Sequence, residues 1–265
     1  MLLAFNIGNA EIAFGVWDTG AATPALRFTA ALAARPARSP DEYAVLIGQI
    51  FALHGVAPAD ITDAIIASVV PALLDTVRAA IARLTPAKPA IVGPGMRTGL
   101  QMRIDHPAQL GADLVALAAA ARAGDAACPA AVVALDAATT LTVLDADAAI
   151  AGVVILPGMG SSAAALERDA ALLTQIPLTP PRRVVGRNTV ESVRSGLFWG
   201  AAAQIDGLCD RIEEELGIEQ GKLTVLATGS YAPLVMPLCR RACTVRESLI
   251  FDGLLALWQT HTQRK

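Results

Sequence analysis

The sequence predicts an α/β fold built twice over, and three observations carry that expectation. Short apolar runs rich in β-branched residues alternate with longer stretches of helical spacing, the pattern of sheets covered by helices. At 265 residues the chain has room for two domains of about 130 residues each. The same local device also opens each half. Leu3–Val16 reads strand, Asn-Ile-Gly-Asn-Ala, strand, and Val132–Leu144 reads strand, Asp-Ala-Ala-Thr-Thr, strand. This self-match sets Asn6 opposite Asp136, Gly8 opposite Ala138 and Asn9 opposite Thr139, at the starts of halves expected over residues 1–125 and 126–265.

Taken in order, strands are expected over Leu2–Asn6 and Ile12–Val16, then a helix over Asp41–His54. That helix has Tyr43, Leu46, Ile47, Ile50 and Leu53 on one face and Ser39-Pro40 as its start signal. A strand at Ala64–Val69, a helix at Leu73–Leu84, a Pro-rich loop at Thr85–Pro89 and a strand at Ala90–Val92 follow. Gly111–Ala123 has helical spacing, and Ala131–Asp136 and Val153–Leu156 read as strands. Helices are expected at Ser161–Leu173, Thr189–Leu216 and Leu249–Thr260, with a loop at Pro177–Arg183 and a strand at Thr224–Ala227.

Composition narrows the function. A net charge of −3 and a pI near 5.6 give no electrostatic footprint for nucleic acid, and 4% aromatic residues leave few side chains for bases to stack on. No apolar run is long enough for a membrane span. No signal-peptide pattern follows Met1, so the expected compartment is the cytoplasm. Cys128, Cys209, Cys239 and Cys243 lack zinc-site spacing and read as core or helix-surface thiols. His54 is expected to cap a helix before Gly55, His106 to face solvent beside Pro107, and His261 to lie in a polar tail. Phe198 and Trp199 read as core or interface residues. Glu167-Arg168-Asp169 and Glu213-Glu214-Glu215 read as solvated helix faces.

Two facing hairpins of this kind suit phosphate and metal chemistry. The N–H groups of a tight turn form an anion-binding concavity, and a small residue lets a polyphosphate approach the backbone. A neighbouring carboxylate can hold a hard cation beside the phosphates. A third element, Val225–Leu234, runs a strand into Thr228-Gly229-Ser230 and a helix start, which can place a base or ribose against backbone. Ordinary hairpins capped by Asn or Asp are the alternative reading of the two turns.

Taken together, LLAFNIGNAEIAFGVWD, GPGMRTGL, VALDAATTLTVLD, NTVESVRSG and ATGSYAP, in this order, resemble the type III pantothenate kinases of the acetate/sugar kinase, Hsp70 and actin superfamily. The similarity runs along essentially the whole chain. It implies two RNase-H-like halves of the actin-like ATPase fold, each a mixed sheet flanked by helices, and a homodimer with dimerisation helices in the second half. It also implies ATP-dependent phosphorylation of pantothenate, the first committed step of coenzyme A synthesis, with Mg²⁺ and a monovalent cation, K⁺ or NH₄⁺.

Residue by residue, the resemblance makes Asp113 the general base of a G-x-D-R motif, here Gly111-Ala112-Asp113-Leu114, in which Leu114 replaces the substrate-binding Arg. Ile104 and His106 stand where the R-Y-D-N-P pattern has Tyr, which lines the pantothenate pocket, and Asn. Thr189 matches a Thr that reaches the pantothenate site from the partner subunit. On the nucleotide side, D-x-G-N-T has become Asn6-Ile7-Gly8-Asn9-Ala10, with an amide where Mg²⁺ is organised. The second phosphate motif keeps Asp136, assigned to the monovalent cation, together with Thr139 and Thr140, but carries Ala138 for Gly. The adenosine motif A-T-G-G becomes Ala227-Thr228-Gly229-Ser230. Alongside an active kinase stands a second hypothesis, a weak or inactive dimeric paralogue serving as a nucleotide-binding or regulatory module. A less polar acceptor is a third, suggested by Leu114 and Ile104.

Overall fold

The computed structural model describes residues 1–124, 126–169 and 176–263. In chain order, β1 spans Leu2–Ile7, β2 Glu11–Asp18, β3 Ala25–Ala33, α1 Pro40–Leu53, β4 Asp63–Ser68, α2 Pro71–Leu84, β5 Pro89–Ile91 and α3 Ala112–Ala123. Then come β6 Ala130–Leu135, β7 Ala138–Leu144, β8 Ile150–Pro157, α4 Met159–Asp169, α5 Thr189–Leu216, β9 Thr224–Thr228, α6 Ala232–Val235, β10 Thr244–Val245 and α7 Leu249–Thr262. The helix expected at Ser161–Leu173 is α4, and its residues 170–173 lie outside the described residues.

The strands form two five-stranded mixed sheets, β3-β2-β1-β4-β5 and, from its corresponding edge, β8-β7-β6-β9-β10. Each central strand pairs antiparallel with the strand after it and parallel with the strand that returns after a helix. The duplicated RNase-H-like, actin-like ATPase fold is therefore present as expected.

In the first unit, alternation along β1 sends Leu3, Phe5 and Ile7 into one core. They meet Tyr43, Ile47 and Phe51 of α1, spaced one helical turn apart, and Leu73, Val77 and Ile81 of α2. Phe5 stacks on Phe14 at 5.2 Å between ring centroids, while Phe28 and Phe51 close the cluster edge-on at 6.3 and 6.4 Å. Helix α1 starts where Ser39-Pro40 signals it. The Glu42 carboxylate accepts from Ser39 N at 2.8 Å and Ser39 Oγ accepts from Glu42 N at 3.3 Å, a capping box that holds the Glu42 carboxyl below its ordinary pKa. His54 is the C-cap residue, as expected, and its ring stacks on Phe28 at 4.0 Å.

The sequence-stretch division at 125/126 differs from the observed units in two places. Ser248–Lys265 groups with Met1–Gly99 and Asp105–Ala123, whereas Leu100–Ile104 groups with Gly124–Glu247. Helix α7 packs along α3 because Gly253 lets the Ala116 backbone come close; a Cβ at residue 253 would collide with the Ala116 carbonyl. Leu100–Ile104 joins the second unit through Arg103 N to Ile150 O at 2.8 Å and Ile150 N to Gln101 O at 2.9 Å. His261, expected in a polar tail, belongs to a helix. It lies in the last turn of α7, where its carbonyl accepts from Arg97 Nη2 at 2.8 Å.

In the second unit, α5 lays Phe198, Ala202, Ile205 and Cys209 on the β6–β7 face formed by Ala131, Val133, Leu135, Leu141 and Val143. Burial raises the Cys209 thiol to about 11 and the Cys239 thiol to about 12, as packed thiols should be. The reading of Glu213 as a solvated residue is overturned: it is 2% exposed. Its Oε1 accepts from Leu223 N at 2.8 Å and Arg241 Nη1 at 2.6 Å, and its Oε2 from Gly221 N at 3.0 Å and Arg241 Nη2 at 2.8 Å. Bonding to the Arg241 guanidinium outweighs desolvation and lowers the Glu213 carboxyl to about 2. The bonds from Gly221 N and Leu223 N tie the end of α5 to the turn that feeds β9, and the ion pair ties it to the segment before β10.

Candidate functional site

The functional residues anticipated from sequence divide between the units. Asn6, Gly8, Asn9, Gly111, Asp113 and Leu114 lie in the first, and Ile104, Asp136, Thr139, Thr140, Thr189 and Gly229 in the second.

In the first unit, Asn6 is the half-buried penultimate residue of β1, paired with Ala13 of β2 and Ala67 of β4. The β1–β2 turn closes with Gly8 N donating to Glu11 O at 2.9 Å, and Asn9 and Ala10 are exposed at its tip. A Cβ at Gly8 would find only Glu11 O, at 3.4 Å. Asp113 is in the first turn of α3, where the helix dipole favours a carboxylate. A Cβ at Gly111 would run into the Asp113 carboxylate, so a glycine before this turn gives the acid its room. Leu114, 7% exposed, belongs to the buried surface of α3. It takes the Arg's sequence place without its chemistry.

In the second unit the geometry is more closely built. The β6–β7 turn is Asp136-Ala137, with Asp136 N donating to Ala138 O at 3.1 Å. Asp136 is exposed, and its Oδ1 accepts from Ser230 N at 2.8 Å and Ser230 Oγ at 3.0 Å. Tyr231 N donates to Leu135 O at 3.1 Å. Gly229 sits at φ +96° between them, and a Cβ there would lie 2.6 Å from Leu135 O and 2.7 Å from Asp136 Oδ2. Only glycine fits both that dihedral and that space. On the other side, Ser161 Oγ donates to Ala137 O at 3.0 Å, and a Cβ at Gly158 would strike the carbonyls of Asp136 and Ala137. The turn is thus clamped between the starts of α4 and α6.

The two hairpins are not superposable position by position. Leu135 pairs with Thr139, so the second turn is shorter than the first, in which Ile7 pairs with Ile12. Asn9 is accordingly an exposed tip residue, whereas Thr139 is buried on the β7 face that carries Leu141 and Val143. Thr140 is on the opposite face; its Oγ1 is sealed from solvent without a hydrogen-bond partner. Thr189 is the exposed first residue of α5, whose N-cap Asn188 accepts from Glu191 N at 2.9 Å while Glu191 accepts from Arg187 N at 3.0 Å. Capping therefore accounts for the Asn and Glu of the NTVES stretch. Ile104 is half-buried and His106 exposed in the loop before α3.

Sequence reasoning missed Ser230, treated as a lost glycine, and Gly158 and Ser161, quoted within a stretch but given no role. A signal existed for the last two, since Gly and Ser directly after an apolar strand mark a close backbone approach.

In the second unit, an orphaned hydroxyl at Thr140 and a carboxylate oxygen of Asp136 outside its hydrogen bonds fit a phosphate-bearing ligand with its cations. Among the described residues no cluster of three or more His, Cys, Asp or Glu side chains could hold a metal by itself. A divalent ion here would share its coordination with phosphate oxygens and water, as Mg²⁺ prefers. Among the described residues no helix is long and apolar enough to cross a membrane.

Comparison with known proteins gives the geometry a lineage. The chain is 39% identical over 257 residues to a type III pantothenate kinase of Anaeromyxobacter sp. (strain K), covering 97% of this chain and 98% of that protein. It is 40% identical over 254 residues to one of Shouchella clausii, covering 96% and 97%. Among solved structures, (R)-2-hydroxyglutaryl-CoA dehydratase component A of Acidaminococcus fermentans superposes with a TM-score of 0.55 at 10% identity, covering 97% of this chain and 96% of that one; this likeness concerns the fold alone. The family model for type III pantothenate kinase matches residues 2–211, and with the full-length relatives it establishes that the chain belongs to the type III pantothenate kinase family.

Proposed function

We propose that this chain phosphorylates pantothenate, transferring the terminal phosphoryl group of ATP to the pantothenate hydroxyl as the first step of coenzyme A synthesis. The observation that carries the reading is the clamped β6–β7 turn, which presents Asp136 beside Gly229 in a chain related over its full length to kinases of this name. ATP bound with Mg²⁺ supplies the phosphoryl group and much of the charge neutralisation. Gly8, Asn9, Thr139, Thr140 and Gly229 take the nucleotide and its phosphates in this reading, Thr139 through the backbone and Thr140 through its unpartnered hydroxyl. Asn6 would lend Mg²⁺ or its water an amide oxygen. Asp136 would serve the monovalent cation, K⁺ or NH₄⁺.

Asp113 is the proposed base. It would accept the proton of the pantothenate hydroxyl as the oxygen attacks, with the glycine at 111 making room for its side chain. Gly111, Ile104, Leu114 and Thr189 would border pantothenate, the apolar pair giving shape rather than charge. The working form is proposed as a cytoplasmic homodimer.

A second reading, a paralogue with little or no turnover, rests on the buried Leu114 and the amide at Asn6. One assay separates the two: phosphopantothenate formation by the purified protein with ATP, Mg²⁺ and K⁺, against Asp113→Asn. The kinase reading expects turnover that falls about 10²-fold or more in the variant. Equal rates in both proteins would leave the paralogue.

A further inference from the structure

The seryl side chain at 230 occupies a position where the family motif carries glycine, and its hydroxyl bonds the proposed cation acid. Two donors from this residue, the amide at 2.8 Å and the hydroxyl at 3.0 Å, converge on the same oxygen, Oδ1 of Asp136. The second oxygen, Oδ2, takes no hydrogen bond from the described residues, and Gly229 leaves open the space that a Cβ would fill 2.7 Å from it. Asp136 is exposed at the tip of a two-residue turn, so without such bonds its carboxylate would be free to rotate. The neighbouring bond from Tyr231 N to Leu135 O, 3.1 Å, fixes the Ser230 backbone against the same turn.

We propose that Ser230 is a positioning residue that pins one oxygen of Asp136 and aims the other at a monovalent cation. This deepens the kinase reading and rests on its assignment of Asp136. The chemistry is that of a carboxylate held by two donors on one side: fixing its plane removes a rotational freedom that cation binding would otherwise have to freeze. A glycine at 230 would keep the amide donor and lose the hydroxyl. The serine therefore adds a second tether to a site whose first-hairpin acid has become an amide.

The test is a titration of the full-length protein with thallium(I), a potassium surrogate, followed by thallium NMR in the presence of ADP and Mg²⁺. The variants are Ser230→Ala, Ser230→Thr and Asp136→Asn, each checked by thermal melting in cation-free buffer. The expected result is saturable binding by the native protein and its loss in Asp136→Asn. Ser230→Ala should bind about tenfold more weakly, the range for a lost hydrogen bond to a charged group, and Ser230→Thr should restore most of the affinity by restoring the hydroxyl. Equal affinity in Ser230→Ala and the native protein would overturn the proposal while leaving the kinase reading intact. Absence of thallium binding by the native protein would overturn both this proposal and the assignment of Asp136. Weakening in Ser230→Ala that Ser230→Thr fails to reverse would also overturn it, because the hydroxyl would then not be the cause.

Discussion

The two hairpins descend from one pattern in the sequence, yet the chain builds them differently. The β1–β2 turn is loosely enclosed: an exposed tip at Asn9 and Ala10, a glycine that nothing crowds, and an amide at the strand end. The β6–β7 turn is clamped by Ser161 on one side and Ser230 on the other, with Gly158 and Gly229 giving up side chains so that backbone can meet backbone. The difference lies at the polar residue that follows the apolar run of each central strand, Asn6 in the first hairpin and Asp136 in the second. The first hairpin carries an amide there, whereas the second carries an acid held by two donors from Ser230. Electrostatic preorganisation depends on fixed groups, and in this protein the fixed group belongs to the second unit.

The comparison can be broken most severely through the frame behind the second hairpin. Arg241→Met leaves Glu213 buried without its guanidinium partner, and the expected cost is about 3 kcal/mol in denaturant melts. The pH dependence has a definite sign. Because the folded Glu213 carboxyl titrates at about 2 rather than at its ordinary 4.5, its contribution is complete above pH 4.5 and drains away as pH falls toward 2. Glu213→Gln should therefore flatten the stability-versus-pH curve across that window. A curve as steep as that of the native protein would place the acid sensitivity elsewhere.

A smaller and more direct contrast lies in the glycines. Gly229→Ala has to bear a positive φ and a Cβ 2.6 Å from Leu135 O, and should destabilise by about 2 kcal/mol. Gly8→Ala meets one ordinary contact at 3.4 Å, and its stability should change by no more than about 0.5 kcal/mol. In the kinase reading Gly8→Ala nevertheless weakens nucleotide binding, since the new methyl faces the phosphate approach. Chemical denaturation of both variants with and without ATP separates the effects, and similar losses in the two apo proteins would erase the distinction drawn here.

Much of this architecture was legible in the sequence. The central strands announced themselves by continuous apolar runs, and α1 by its Ser39-Pro40 start and by Tyr43 and Ile47 on its buried face, although Leu53, expected on that face, is exposed and Phe51, not expected there, is buried. Strand β3 was not legible, because as an edge strand it buries only Phe28 and its alanines carry no alternation. The Glu213 ion pair was hidden for a different reason: its partner Arg241 is remote in sequence, and a Glu-Glu-Glu run looks solvated whichever member turns inward. The site was legible as residue types at the right spacing. Its enclosure was not, since the serine at 230 reads as a missing glycine until the Asp136 carboxylate is found against it. The shorter second turn was equally hidden, because spacing alone set Thr139 opposite Asn9 while strand pairing sets it opposite Leu135.

The finest test restores the missing charge to the first hairpin. Asn6 is half-buried near the end of β1, with ladder partners on both sides, so Asn6→Asp places a carboxylate where little water can reach it. Without ligand that carboxylate is a burden, and the apo protein should melt at a slightly lower temperature. In the kinase reading the same charge would lie beside a cation when ATP and Mg²⁺ are bound and would help neutralise the transferring phosphoryl group, so kcat/KM should rise about tenfold, equivalent to about 1.4 kcal/mol. The two measurements must move in opposite directions if Asn6 stands where a metal is organised. A rate that stays level or falls while the apo protein loses stability would mean that the first hairpin no longer needs a charge, and that the clamped carboxylate of the second carries the electrostatics alone.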